Sequence, residues 1–308
     1  MPVPSDLFED EPLPRRAVLL VNTKSRRGQE WFDTAKDKLT ADGIQLAKAS
    51  HFKKMDEMLA QAKAAIAEKV PLVIAGGGDG TFSALSGLFV GSETTLGVLP
   101  LGTGNAFARD LGIQADAEEA CRVIAQGRIA KVDAGTIGKD YFVNVATVGL
   151  TTRIAQNLTN PMKRQYGRFV YAIALFRGIQ KVKPFVVKIN TENGQREFET
   201  LQVVIGNGRF HAGPFPLSPE ASITEGRLTL YALKASTRVA FLQLALRLPT
   251  GTQGDLPDVH SEETRGGRLE TFPPMPVTVD GEVGSRTPFD FGVAPRSIRV
   301  IVPDTFEG

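Results

Sequence analysis

The stretch Ala75-Gly76-Gly77-Gly78-Asp79-Gly80-Thr81 sets residues without side chains between an apolar run, Pro71–Ala75, and a helical pattern. Glycine there lets successive backbone N–H groups approach an anion closely, and the opening of a helix adds its dipole. That chemistry is phosphate binding; taken alone, the same residues make a tight strand-to-helix turn. A second turn of the same kind, Leu99-Pro100-Leu101-Gly102-Thr103-Gly104-Asn105, follows the apolar run Leu96–Leu99 and leads toward Phe107 and Arg109. A third, Asn22-Thr23-Lys24-Ser25-Arg26-Arg27-Gly28, offers cations and hydroxyls for outer phosphates. In a parallel sheet these turns fall at the carboxyl ends of strands, where the ligands of open α/β sheets gather.

The familiar nucleotide motifs do not account for them. The chain has no Gly-x-x-x-x-Gly-Lys-Ser/Thr stretch, Thr81 and Phe107 break Gly-x-Gly-x-x-Gly, and protein-kinase motifs are absent. Asp280-Gly281-Glu282 is a further acidic pair, which by itself reads as a solvated turn. His51, His211 and His260 have no ligand spacing and are assigned no metal, although His211 stands close enough to Gly206-Asn-Gly-Arg209 to line a site. Cys121 is the one cysteine, so an intrachain disulfide is impossible; with Ala120, Val123 and Ile124 around it, it reads as a buried helical thiol.

Positioning these turns requires alternating strands and helices. Strands are expected at Ala17–Val21, Ile44–Ala49, Pro71–Ala75 and Leu96–Leu99, separated by helices at Gln29–Ala41 and Lys53–Lys69. Met55, Met58, Leu59, Ala62 and Ile66 form the apolar stripe of the second helix. A third helix opens after Gly80, and Asp116 with Glu119 marks the start of a fourth that ends near Gly127. Beyond Ile129 the pattern turns to strands: Val132–Ile137, Tyr141–Val148, Phe185–Thr191, Phe198–Ile205, Leu228–Leu233 and Val277–Val279. Glu192-Asn193-Gly194 signals a hairpin. Helical stretches at Tyr166–Gln180 and Thr237–Leu248 interrupt these strands, and 249–267 reads as a Gly- and Pro-punctuated loop.

The expected fold is thus an α/β domain with a parallel sheet followed by a mostly antiparallel β domain, with a cleft between them that suits a ligand. Residues 1–15 form a disordered or extended tail, 16–130 the α/β domain, 131–296 the β-rich domain, and 297–308 a strand returning to the first. A length of 308 residues fits two domains. No apolar run approaches the roughly 18 residues of a membrane helix, the acidic, Pro-rich start lacks a secretory signal, and a net charge of +2 points away from nucleic acid. Together with the lone cysteine this suits the cytoplasm.

Gly76-Gly-Gly-Asp-Gly-Thr81 with Leu99-Pro-Leu-Gly-Thr-Gly-Asn105 resembles the catalytic domain of diacylglycerol kinases and their bacterial lipid-kinase relatives. Asn144 with Gly149, Ile205-Gly-Asn-Gly-Arg209, Glu225-Gly-Arg-Leu228 and Asp280-Gly-Glu282 follow in the order that the bacterial family shows, so the resemblance runs from about Arg16 to Pro303. It implies a soluble, Mg2+-dependent kinase that moves the terminal phosphoryl group of ATP onto a lipid hydroxyl at the membrane surface, with a lipid substrate of diacylglycerol, phosphatidylglycerol or sphingoid type. ATP would be held by Asn22, Lys24, Ser25 and Arg26, by Gly77, Gly78, Asp79, Gly80 and Thr81, and by Thr103. Glu282 resembles the proton acceptor, Asp280 its acidic partner, and Asp79 and Asp133 members of a magnesium and water network. Glu225, with the carbonyls of Ser222 and Arg227, resembles a metal site in the second domain. A homodimer is compatible with the resemblance.

Several positions depart from the family pattern. Thr23 and Arg26 replace Pro and Gly, Ser83 and Ala84 replace Asn-Glu, Ala106 stands where Asp follows Asn, and Glu225 replaces Asp. These keep a non-catalytic nucleotide- or lipid-binding paralogue in view, and Gly-Gly-Asp-Gly-Thr is shared with NAD kinase. Met162-Lys-Arg-Gln-Tyr-Gly-Arg168 with the aromatic residues up to Phe176 suits an anionic membrane surface, and suits equally a helix packed between domains with its cations in solvent.

Overall fold

The computed structural model describes residues 7–24, 26–150, 183–211, 215–218, 220–234, 243 and 246–308. The chain begins with β1 (Phe8–Glu9), β2 (Arg16–Asn22), α1 (Arg26–Ala41), β3 (Gln45–Phe52), α2 (Met55–Ala67), β4 (Leu72–Gly77), α3 (Asp79–Phe89), β5 (Thr95–Pro100), α4 (Ala106–Asp110) and α5 (Ala117–Gln126). β4 and β5 are buried along their whole length, as continuous apolar runs between two helix layers require. They pair in parallel with each other, and β2 joins β4 to the edge strand β3. α2 turns Met58, Ala62 and Ala65 into the core, while Met55, Leu59 and Ile66 pack at its margin. Asp116 caps α5 by accepting the Glu119 N–H at 2.8 Å, and Cys121 is fully buried on that helix.

The remaining strands are β6 (Arg128–Ile137), β7 (Asp140–Phe142), β8 (Val145–Gly149), β9 (Phe185–Thr191), β10 (Gly194–Thr200), β11 (Gln202–Gly206), β12 (Phe210–His211), β13 (Phe215–Pro216), β14 (Leu228–Leu233), β15 (Val259–Thr264), β16 (Gly266–Phe272), β17 (Pro276–Val279), β18 (Glu282–Arg286) and β19 (Phe289–Val302). One antiparallel sheet runs β15-β14-β11-β8-β17-β18. The other continues the first domain's sheet, in the order β10-β9-β16-β19-β5-β4-β2-β3. An α/β domain on a mostly parallel sheet is thus followed by an antiparallel β sandwich.

β19 belongs to both halves. Its first part pairs with β16 and β6, it breaks between Ala294 and Ile298, and its last part lies parallel to β5 with Val300 opposite Leu96. Ile298, Val300, Ile301 and Val302 are consequently in the first domain's core, whereas Phe289 and Phe291 are in the second.

Four features differ from the sequence expectation. Phe198–Ile205 is not one strand but parts of β10 and β11, which lie in different sheets. The Thr200 hydroxyl donates to the Gln202 and Leu233 carbonyls at 2.9 and 2.7 Å and ties the corner; apolar alternation runs through it, so periodicity does not reveal the switch. Tyr141–Val148 divides into β7 and β8 because the amides at 143–145 bond a side chain rather than a ladder. Residues 259–267, expected as loop, contain β15 and the start of β16; β15 is an edge strand whose outward residues are polar, which hides its character. Finally, the N-terminal segment is held from Leu7 onward: Leu7 is fully buried, β1 pairs with β6, and the Arg128 guanidinium lies 3.5 Å from the Phe8 ring centre. The helix expected at 166–180 and the basic stretch at 162–168 lie outside the described residues, as does most of 237–248.

Candidate active site

The strand β4 delivers Gly77 and Gly78, and α3 opens at Asp79 with Gly78 as its N-cap. The Gly78 carbonyl accepts from the Thr81 N–H at 2.8 Å, which turns the chain sharply. A side chain on Gly77 would collide with that of Thr81. After β5, the Leu101 N–H reaches back to the Gly77 carbonyl at 2.8 Å, and a Cβ on Gly102 would sit 2.5 Å from the Gly78 Cα. The two glycine turns therefore touch backbone to backbone, and no larger residue fits between them. Asn105, in the left-handed region at φ 52°, closes its turn by accepting from the Gly102 N–H and donating to the Gly102 carbonyl, both at 3.0 Å.

Side chains complete the junction. The Asp79 carboxylate accepts the Ala106 N–H at 2.6 Å, so the acid that opens α3 also sits at the N-terminus of α4. Burial pushes its carboxyl above the usual carboxylate range, against the pull of the Ala106, Asn105 and Phe107 amides and the Arg109 guanidinium. Asn22 at the end of β2 donates to the Thr81 hydroxyl at 3.0 Å and accepts the Lys24 N–H at 3.0 Å. Three turns thus meet at the carboxyl edge of the sheet, with Gly80 facing open space and Thr103 exposed. Ser25 lies outside the described residues, and Arg26 opens α1.

The second domain brings its acids from the β17–β18 turn. Asp280 is in the left-handed region at φ 46°, and its carboxylate accepts the N–H groups of Val143, Asn144 and Val145 at 3.1, 3.0 and 2.8 Å. Burial pushes its carboxyl up; those three amides and a hydrogen bond with Ser83 oppose the rise. Ser83 belongs to the second turn of α3, so Asp280 ties the β17–β18 turn to the helix that carries Asp79, Gly80 and Thr81. Glu282 follows two residues later, exposed at the start of the edge strand β18. Backbone N–H groups at a helix opening can hold a phosphoryl donor, and an exposed carboxylate can accept a proton from a hydroxyl.

Asp133 lies elsewhere. Its carboxylate is shared between the N–H of Gly226 at 2.6 Å and that of Arg296 at 2.7 Å, under the turn that holds Ser222, Glu225 and Arg227. Ser222 and Thr224 hydroxyls bond each other at 2.8 Å within that turn. Glu225 is exposed, and its carboxyl is pushed up by partial desolvation and then by Glu263. Glu220 adds to that rise, while the Arg227 and Arg209 guanidinium groups oppose it. Among the described residues no cluster of three or more His, Cys, Asp or Glu forms a ready-made metal centre. A cavity of about 640 Å³ opens beside Arg227, lined also by Asn190, Glu192 and Arg265; no glycine-turn residue borders it.

Sequence reasoning missed Asp110. This residue ends α4, and its carboxylate accepts the N–H groups of Arg209 at 2.8 Å and Phe210 at 3.2 Å from the second domain. Burial pushes its carboxyl up to about 7. The available signal was an acid in the last helical turn, where the dipole disfavours it unless a tertiary donor compensates.

A mostly parallel sheet with glycine turns at its carboxyl edge, followed by a β sandwich, is the frame in which the comparisons with known proteins fall. The model of the diacylglycerol kinase catalytic domain matches residues 16–137, and that of the YegS C-terminal NAD kinase beta sandwich-like domain matches residues 144–302. The diacylglycerol kinase of Staphylococcus saprophyticus subsp. saprophyticus is 27% identical over 296 residues, covering 94% of this chain and 96% of that one. That of Staphylococcus aureus (strain JH9) is 29% identical over 298 residues, covering 94% and 93%. A crystal structure from Bacillus anthracis str. Sterne superposes with a TM-score of 0.81 at 25% identity, over 96% of this chain and 98% of the other. The chain belongs to the diacylglycerol kinase catalytic-domain family and is a lipid kinase.

Proposed function

We propose that the chain transfers the terminal phosphoryl group of ATP to a hydroxyl of a diacylglycerol-, phosphatidylglycerol- or sphingoid-type lipid, working at the membrane surface. The observation that carries this reading is the backbone contact of Gly78 with Gly102 beside the open face of Gly80; Glu282, two residues after Asp280, is exposed. The phosphates lie against the N–H groups at the opening of α3, with Thr81 and Asn22 fixing the rim and Lys24 and Thr103 reaching the outer oxygens. Glu282 accepts the proton of the lipid hydroxyl as its oxygen attacks phosphorus, and Asp280 holds the turn that aims it. Positioning and charge supply most of the remaining acceleration. A bound Mg2+ would neutralise phosphate charge, with Asp79 near the donor and Glu225 in the second domain as the carboxylates that fit it.

Labelled ATP offered in parallel with mixed-lipid vesicles and with NAD tests the assignment. Label entering a chloroform-soluble product is the expected result. Label on NAD would favour the soluble-substrate reading suggested by the NAD kinase-like sandwich. Binding of ATP with no transfer to either, in wild type and Glu282→Ala alike, would indicate a regulator.

A further inference from the structure

Two carboxylates tie the halves of the chain together, one from each side: Asp280 in the β17–β18 turn of the second domain and Asp110 at the end of α4 in the first. Asp280 reaches Ser83 on α3, and Asp110 ends α4. Between them runs one short chain of hydrogen bonds. Val143 and Asn144 give their N–H groups to Asp280 and their carbonyls to Asn207, which bonds the Val143 carbonyl through its side-chain amide at 3.2 Å and the Asn144 carbonyl through its own N–H at 2.9 Å. Asn207 begins the loop 207–210, whose far end is gripped by Asp110. Gly208 lies directly on the Asp110 carboxylate, and a side chain there would collide with its Oδ2. The loop is held so closely that only glycine fits. Ala106, one helical turn before Asp110, carries no side-chain acceptor, so Asp110 is the acid of α4 that faces this loop.

We propose that Asp110 is a positioning residue: by holding the 207–210 loop against α4 it fixes, through Asn207 and the Val143–Asn144 peptides, the Asp280–Glu282 turn relative to the glycine turns. It touches neither phosphate nor lipid. Its effect is on where Glu282 stands when the hydroxyl is attacked, and misplacement by about 1 Å can cost up to about 100-fold in rate. Nucleotide binding, built on β4, β5 and α3, does not depend on the latch. Arg209 from the loop and Asp79 from α3 are the charged groups that bear on Asp110.

Two measurements on the full chain test this. Hydrogen exchange on Asp110→Ala should rise at 207–210 and also at 143–145 and 280–282, with β4 and β5 unchanged; Asp110→Asn, which keeps an acceptor oxygen, should restore most of the protection. This arm needs no assay of activity and stands apart from the proposed reaction. In the second arm, which rests on that reaction, turnover on diacylglycerol in phosphatidylglycerol vesicles should fall about 10-fold or more in Asp110→Ala while the affinity for ATP is unchanged. Gly208→Ala presses on the same carboxylate from the loop side and should reproduce both results if Asp110→Ala does not fold. Exchange confined to 207–210 with wild-type turnover, or equal losses of ATP affinity and turnover, would overturn the proposal. A phosphatidylglycerol-vesicle assay blank for wild type, with the exchange pattern as expected, would sink the reaction and leave the latch standing.

Discussion

Asp79, Asp110 and Asp280 each sit where backbone N–H groups converge, yet burial lifts all three carboxyls above the usual range. Glu282 differs, being exposed and free to meet a substrate. Glu282→Ala is expected to lower turnover by about 100- to 10,000-fold, the usual contribution of a positioned base, with ATP affinity retained in equilibrium binding. Gly102→Ala puts a methyl 2.5 Å from the Gly78 Cα, and backbone must shift to admit it. Overpacking of that kind costs about 1–3 kcal/mol, to be read as a lower thermal midpoint and weaker ATP binding. Asp110 has a consequence for pH. Its carboxyl is held protonated up to about 7 in the fold, whereas in the unfolded chain it ionises near the ordinary value of 3.8. The folded state therefore binds more protons between these values, and that contribution to stability is lost as pH rises through about 7. Thermal midpoints of wild type relative to Asp110→Asn should fall between pH 5 and pH 8; parallel curves would contradict the assignment.

At the scale of elements, the strands and helices that carry the glycine turns were legible because their signals are local. β4 and β5 are unbroken apolar runs, and Asp116 with Glu119 announced α5. Replacing Asp116 by Ala should cost about 1 kcal/mol through the lost N-cap, seen as a small drop in thermal midpoint. What could not be read were features set by distant partners. Thr200 turns the chain from one sheet to the other through a bond to Leu233, and Asp280 breaks the 141–148 strand from across the fold. β15 presents polar residues because it is an edge, and its position in the sheet is invisible in its own six residues. Asp280 and Glu282 were recognisable as a motif, but the tie to Ser83 required coordinates. Asp110 went unseen for the same reason: its partners lie 99 and 100 residues away.

Across the whole molecule the two domains share a sheet, joined by β19 and by β6 beside it. Scanning calorimetry should accordingly show one cooperative transition rather than two, since the larger sheet takes strands from both halves. No helix among the described residues is long and apolar enough to cross a membrane. Val283, next to Glu282, is an exposed apolar side chain.

The shared strand also sets an order of events during synthesis. Most of the nucleotide-binding half leaves the ribosome first, but the place beside β5 stays empty until Ile298–Val302 has been translated. N-terminal domains ordinarily fold as they emerge, and here that route is closed at its last step. The residues that close the core of the first domain thus arrive only after every other strand of the second has been made.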